Sequence, residues 1–136
     1  MKYKVLVIDD EFLIRVSLEN GLSDLGYLVE TSDNIRDGLA AAERFRPDFV
    51  LLDNRLGDDL GIDYIEPIKR IDEDIQIVMM TAYGTVSQAV AAIKKGAFDY
   101  VQKPFDIDAI DLQIRRSLVQ LKKSRGSWSA PAPPSS

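Results

Sequence analysis

The chain contains no cysteine and no histidine. The first absence removes disulfides, thiolate nucleophiles and cysteine-ligated metals, and it fits a reducing compartment. The second removes histidine triads, histidine zinc sites and any phosphohistidine formed on the chain itself, so an imidazole in its chemistry has to come from a partner. Basic charge is also short: 17 Lys and Arg stand against 22 Asp and Glu, a net charge of −5. A nucleic-acid or anionic-membrane binder needs a basic footprint to exchange for counterions, so neither is expected as a partner. No apolar run nears the roughly 20 residues of a membrane span, and Met1-Lys-Tyr-Lys leads directly into a short strand instead of a signal-peptide core. The expected location is cytoplasmic. The one tryptophan, Trp128, lies in the tail Gly126-Ser-Trp-Ser-Ala-Pro-Ala-Pro-Pro-Ser-Ser. That low-complexity composition reads as a flexible linker, a cut end or vector sequence.

What is present suffices for one core. With 46% hydrophobic residues over 136 positions, the chain supports one globular domain over residues 1–125, followed by the tail at 126–136. Short β-branched runs alternate with stretches of helical period, the pattern of a parallel sheet with helices on both faces. Strands are predicted at Lys4–Ile8, Tyr27–Thr31, Phe49–Leu52, Ile75–Met80 and Tyr100–Val101. Between them Ile14, Leu18, Leu22 and Leu25, then Ile35, Leu39, Ala42 and Phe45, mark core faces of two helices. A third helix is expected at Ile62–Ile71, bent or shortened by Pro67 in its interior. The fourth carries Val86, Ala89, Val90 and Ile93, with Thr85 and Gln88 at capping-box spacing and Gly96 closing it. The last places Ile107, Ile110, Ile114, Leu118 and Leu121 on one stripe and ends in Lys122, Lys123 and Arg125, a solvated last turn that complements the helix dipole.

The chemistry stands at the strand ends. Val5-Leu-Val-Ile8 leads into Asp9, Asp10 and Glu11, and Phe49-Val-Leu-Leu52 stops on Asp53. The fourth strand runs into Thr81-Ala82 and the fifth into Lys103-Pro104. Singly each has an ordinary explanation: Asp9 and Asp10 as helix caps, Asp53 as a turn residue, Thr81 as a strand residue, Lys103 as a surface lysine. Jointly they place matching groups at one rim, because open parallel sheets bind ligands beyond the carboxyl ends of their strands. If the first and third strands are neighbours, Asp9, Asp10 and Asp53 converge and repel unless a hard divalent cation holds them, and Mg²⁺ is the usual choice where phosphate completes the shell. The three aspartates carry about −3, which Mg²⁺ and Lys103 together offset, so the pocket can accept a phosphoryl group with Asp53 as the free nucleophile.

These residues resemble the receiver domain of bacterial two-component response regulators over Lys2 to Lys123. The matching pieces are Val-Ile-Asp9-Asp10-Glu, Leu-Leu-Asp53-Asn-Arg-Leu with Gly61 downstream, Met-Thr81-Ala82-Tyr83-Gly84, and Ala-Phe-Asp-Tyr100-Val-Gln-Lys103-Pro104-Phe105. The last two look most like receivers of the nitrogen-regulator type, which precede an ATPase and a DNA-binding output. The resemblance implies a flavodoxin-like (βα)5 doubly wound sheet of strand order 2-1-3-4-5, an order for which a family member is the standing example. It implies Asp53 as phosphoacceptor and Mg²⁺ held by Asp10, the Asp53 carboxylate and the Arg55 carbonyl, with Asp9 acting through water. Lys103 would bind a phosphoryl oxygen, and the Lys103-Pro104 bond is often cis in the family. Thr81 and Tyr100 would switch on phosphorylation, while Arg55 and Tyr83 would tune the phosphoryl lifetime. The implied partners are a sensor histidine kinase, which supplies the missing imidazole, and a second copy of the chain in a phosphorylation-dependent homodimer. The switched surface would be that of the fourth and fifth strand-helix pairs. One departure is Gly57, where the family commonly has Pro, which suggests a more mobile loop past Asp53. Two other readings compete: an aspartate-nucleophile phosphohydrolase of haloacid-dehalogenase type, whose Asp-x-Asp-x-Thr is missing after the first strand, and a degenerate receiver acting only as an interaction module.

Overall fold

The computed structural model describes residues 2–82 and 84–124. Tyr83, Arg125 and the tail with Trp128 lie outside the described residues, as do the side chains of Lys122 and Lys123. In chain order the elements are β1 (Lys4–Ile8), α1 (Phe12–Asp24), β2 (Leu28–Ser32), α2 (Ile35–Phe45), β3 (Phe49–Asp53), β4 (Arg55–Leu56) and β5 (Asp59–Leu60). A 3-10 turn (Gly61–Tyr64), α3 (Ile65–Ile71), β6 (Gln76–Thr81), α4 (Val86–Lys94), β7 (Asp99–Gln102) and α5 (Ile107–Ser124) follow. The main sheet is parallel with order β2-β1-β3-β6-β7, which is the predicted 2-1-3-4-5 once the small β4–β5 hairpin is set aside. Among the described residues no helix is long and apolar enough to cross a membrane.

The central strands β1, β3 and β6 are buried on both faces, and alternate residues serve opposite layers. Leu6, Ile8, Val50, Leu52, Ile77 and Met79 join α2 and α3 in one cluster, while Val5, Val7, Phe49, Leu51, Val78 and Met80 join α1 and α5 in the other. β3 lies at the centre, paired with β1 through Ile8↔Leu52 and with β6 through Asp53↔Met80. The order reverses between β1 and β3, and that is where the acid-bearing ends meet.

Three expectations need correction. The third helix is not continuous over Ile62–Ile71: a 3-10 turn covers Gly61–Tyr64 and α3 starts at Ile65. The α-helix is thus shorter than Ile62–Ile71, as expected, and Pro67 falls in its first turn, where its missing N–H has no intrahelical acceptor to lose. Every predicted strand but the first is shifted or longer than expected: Leu28–Ser32, Phe49–Asp53, Gln76–Thr81 and Asp99–Gln102. The segment past Asp53, expected to be a loop, is a two-stranded hairpin with Arg55↔Leu60 and Leu56↔Asp59 paired and Gly57 at φ 62° in its turn.

Candidate functional site

Parallel pairing in register brings the ends of β1, β3, β6 and β7 to one rim. One carboxylate oxygen from each of Asp9, Asp10 and Asp53 lies within 4.8 Å of the others. Asp9 is fully buried and Asp53 is 6% exposed, whereas Asp10 is open to solvent. Lys103, delivered by the chain after β7 and anchored by its own N–H to the Thr81 carbonyl at 2.7 Å, sends its Nζ into the same space. The ammonium stands 2.8 Å from Asp9 Oδ2, 3.0 Å from Glu11 Oε1 and 3.5 Å from Asp53 Oδ1. The Lys103-Pro104 bond is cis. Asp53, Thr81, Arg55 and Lys103 line a cavity of about 350 Å³ open to solvent.

The capping explanation of Asp9 and Asp10 fails on geometry. Glu11, not Asp9 or Asp10, is the N-cap residue of α1, and its side chain makes no cap hydrogen bond. Asp9 Oδ1 accepts the Glu11 N–H at 2.8 Å, while its buried Oδ2 faces the Lys103 ammonium at 2.8 Å. Three carboxylates that offer oxygens within 4.8 Å of one another make an all-oxygen donor set of the kind that hard divalent cations take. Burial, reinforced by the charge of Asp9 and opposed by Lys103, pushes the Asp53 carboxyl up to about 6. Burial alone would lower the Lys103 ammonium, but its hydrogen bonds to Asp9 and Glu11 outweigh that and raise it. Lys103 is thus a permanent cation at the working pH.

Tyr100 lies outside this cavity. A Cβ at Gly84 would stand 2.8 Å from its ring and 3.0 Å from the Thr81 methyl group, and its hydroxyl donates to Gln88 Oε1 at 3.0 Å. Gln88 in turn lines the cavity beside Asp53. Three contributors went unassigned in the sequence. Glu11, visible as the third acid after β1, holds Lys103 from the solvent side. Gln88 sits where a helix cap expects it, and its amide does bond to Thr85 Oγ1 at 3.2 Å, which hides its second connection to Tyr100. Gly57 donates its N–H to Asp10 Oδ2 at 3.3 Å, a contact across 47 residues that no local pattern announces.

The same constellation is found in known proteins. The family model described as the response regulator receiver domain matches residues 5–115. The acid tolerance regulatory protein ActR of Sinorhizobium medicae is 36% identical over 106 residues, covering 78% of this chain and 55% of that protein. NtrX from Brucella abortus superposes with a TM-score of 0.85 at 33% identity, over 93% of this chain and 30% of that one. A response regulator from Burkholderia pseudomallei, solved with a phosphorylated aspartic acid, a calcium ion and citrate, superposes at 0.80 with 30% identity, over 96% of this chain and 76% of that one. The chain thus spans about half the length of ActR and less of NtrX. Matched over most of its length and sharing the sheet order, it belongs to the response regulator receiver domain family, in the branch that includes regulators of the nitrogen type.

Proposed function

We propose that this signalling receiver accepts a phosphoryl group on Asp53 from a phosphohistidine of a sensor histidine kinase. The observation that carries the reading is the convergence of Asp9, Asp10 and Asp53 within 4.8 Å beside the ammonium of Lys103. An Asp53 oxygen forms the new O–P bond as the P–N bond to the donor imidazole breaks; the nitrogen keeps the electron pair and takes up a proton. Lys103, already 3.5 Å from Asp53 Oδ1, turns from Glu11 toward the incoming phosphoryl oxygens. Asp10, the Asp53 carboxylate and the Arg55 carbonyl would hold Mg²⁺, with Asp9 reaching it through water. When bound, the cation screens the three carboxylates and draws charge off the transferring group. The Burkholderia neighbour, with its phosphorylated aspartic acid and calcium ion, supports this assignment by likeness.

Thr81, buried at the end of β6, then donates its hydroxyl to the phosphoryl group, and Tyr100 turns inward from Gln88. Arg55 and Tyr83 set the phosphoryl lifetime by controlling water. The α4–β7–α5 surface changes shape and with it the affinity for an output domain or a second copy of the chain. The chain acts as a cytoplasmic switch and binds neither nucleic acid nor membrane by itself. Acetyl phosphate with Mg²⁺ should add one phosphoryl mass to the wild type and none to Asp53→Asn, as read by intact-mass spectrometry. Full labelling of the mutant would move the acceptor elsewhere. For the homodimer, beryllofluoride with Mg²⁺ should shift the sedimentation of the wild type but not of Thr81→Ala. Equal sedimentation with and without the mimic would remove self-association as the output.

A further inference from the structure

We infer that Gly57 is a positioning residue for Asp10, its backbone N–H fixing the carboxylate that a divalent cation would share with Asp53. The inference rests on the reading of the three aspartates as cation ligands. Asp10 is the exposed member of that trio, and Asp9 and Asp53 repel it. A solvent-facing carboxylate under such repulsion swings outward unless a donor holds it. Gly57 supplies one, its N–H reaching Asp10 Oδ2 at 3.3 Å and leaving the second oxygen for a cation. One oxygen held and one offered is how a ligating carboxylate is oriented from outside the coordination shell.

The arm that carries this donor is built from the acceptor outward. Gly61 donates its N–H to the Asn54 carbonyl at 2.7 Å, and a Cβ at Gly61 would stand 2.1 Å from the Asp53 carbonyl oxygen, so the base of the hairpin is seated on the backbone of Asp53 itself. Leu56 is buried, and Tyr64 braces the far strand by donating to Asp59 Oδ1 at 3.1 Å. At the tip Gly57 turns with φ 62°, a left-handed conformation that points its amide back at Asp10. Proline, common here in the family, could neither donate nor adopt that φ. The departure from the family pattern that suggests a looser loop is thus a specific contact to the acid cluster.

The test titrates Mg²⁺ into the full chain while following the backbone amide resonances of the site, and compares wild type with Gly57→Asn and Gly57→Pro. Asn keeps the N–H and tolerates left-handed φ, so its Mg²⁺ affinity should stay within about twofold of wild type. Pro should bind threefold to tenfold more weakly, on the order of one lost hydrogen bond of ordinary net strength. Because Pro also distorts the turn, a second measurement isolates the contact. In metal-free protein, Asp10→Ala should shift the Gly57 amide proton upfield and speed its exchange. A Pro variant that binds as wild type, an Asn variant as weak as Pro, or a Gly57 amide indifferent to Asp10→Ala would each overturn the inference. Failure of the wild type to bind Mg²⁺ at all would instead strike the cation reading beneath it.

Discussion

Helix α2 opens on Asn34, whose side chain accepts the Asp37 amide at 2.8 Å, and helix α4 opens on Thr85, which accepts the Gln88 amide at 3.2 Å. Both carry apolar residues at helical spacing. Yet α2 buries Ile35, Gly38, Ala41 and Ala42 against β1, whereas α4 buries Ala92 alone. Val86 is 82% exposed, and Val90 and Ile93 are 45% exposed each. Caps and periodicity decide that a helix forms; whether its apolar stripe meets a core depends on what packs opposite it. In α4 Val86, Val90 and Ile93 are left at the surface, and they flank a residue, Gln88, that lines the cavity beside Asp53 and bonds to Tyr100. We read α2 as structural cladding and α4 as the surface that phosphorylation of Asp53 would re-aim.

The largest effect should come from truncating the two stripes in turn. Ile35→Ala, at a position 7% exposed, is expected to cost about 2–4 kcal/mol in a urea unfolding titration. Ile93→Ala should stay within about 0.5 kcal/mol. Equal losses would mean that α4 is as deeply docked as α2 and would erase the contrast between them.

A smaller effect separates the acid rim beside α4 from the rest of the molecule. The Asp53 carboxyl is raised to about 6 in the fold, chiefly by burial and then by Asp9, against 3.8 for a free group. The folded state therefore binds this proton more tightly than the unfolded state, and stability falls as pH rises through that window. Below about pH 4 the group is neutral in both states and costs nothing; above about pH 6 its charge is fully expressed. Without metal, Asp53→Asn should thus raise stability by roughly 1–3 kcal/mol at pH 7–8, and the gain should shrink to nothing as pH approaches 4. Thermal melts across that range report it. A gain independent of pH would show that burial and Asp9 do not strain the Asp53 charge.

Much of this was legible in the residues. Apolar runs that end on a carboxylate, a hydroxyl or a lysine mark the active rim of a parallel sheet, because nothing in strand propensity calls for those groups there. Asp9, Asp10, Asp53, Thr81 and Lys103 were visible on that ground, and the structure brings them together. The β4–β5 hairpin was not, since strands of two residues are too short to show alternation and the turn depends on a single glycine φ. The start of α3 was missed because helix starts are set by which residue first takes helical geometry, and the 3-10 turn before it carries the same apolar spacing. The exposure of Val86, Val90 and Ile93 was hidden for a more general reason: a stripe of apolar residues fixes a face but does not name its partner.

The contrast between α2 and α4 can be tested by amide hydrogen exchange, with and without beryllofluoride and Mg²⁺. The account predicts that the mimic changes exchange in Val86–Lys94 and Asp99–Gln102, the latter carrying Tyr100, and leaves Ile35–Phe45 unaltered. In Asp53→Asn neither region should respond. Equal changes in both helices, or a response in α2 with none in α4, would contradict the assignment of α4 and β7 as the surface that Asp53 controls.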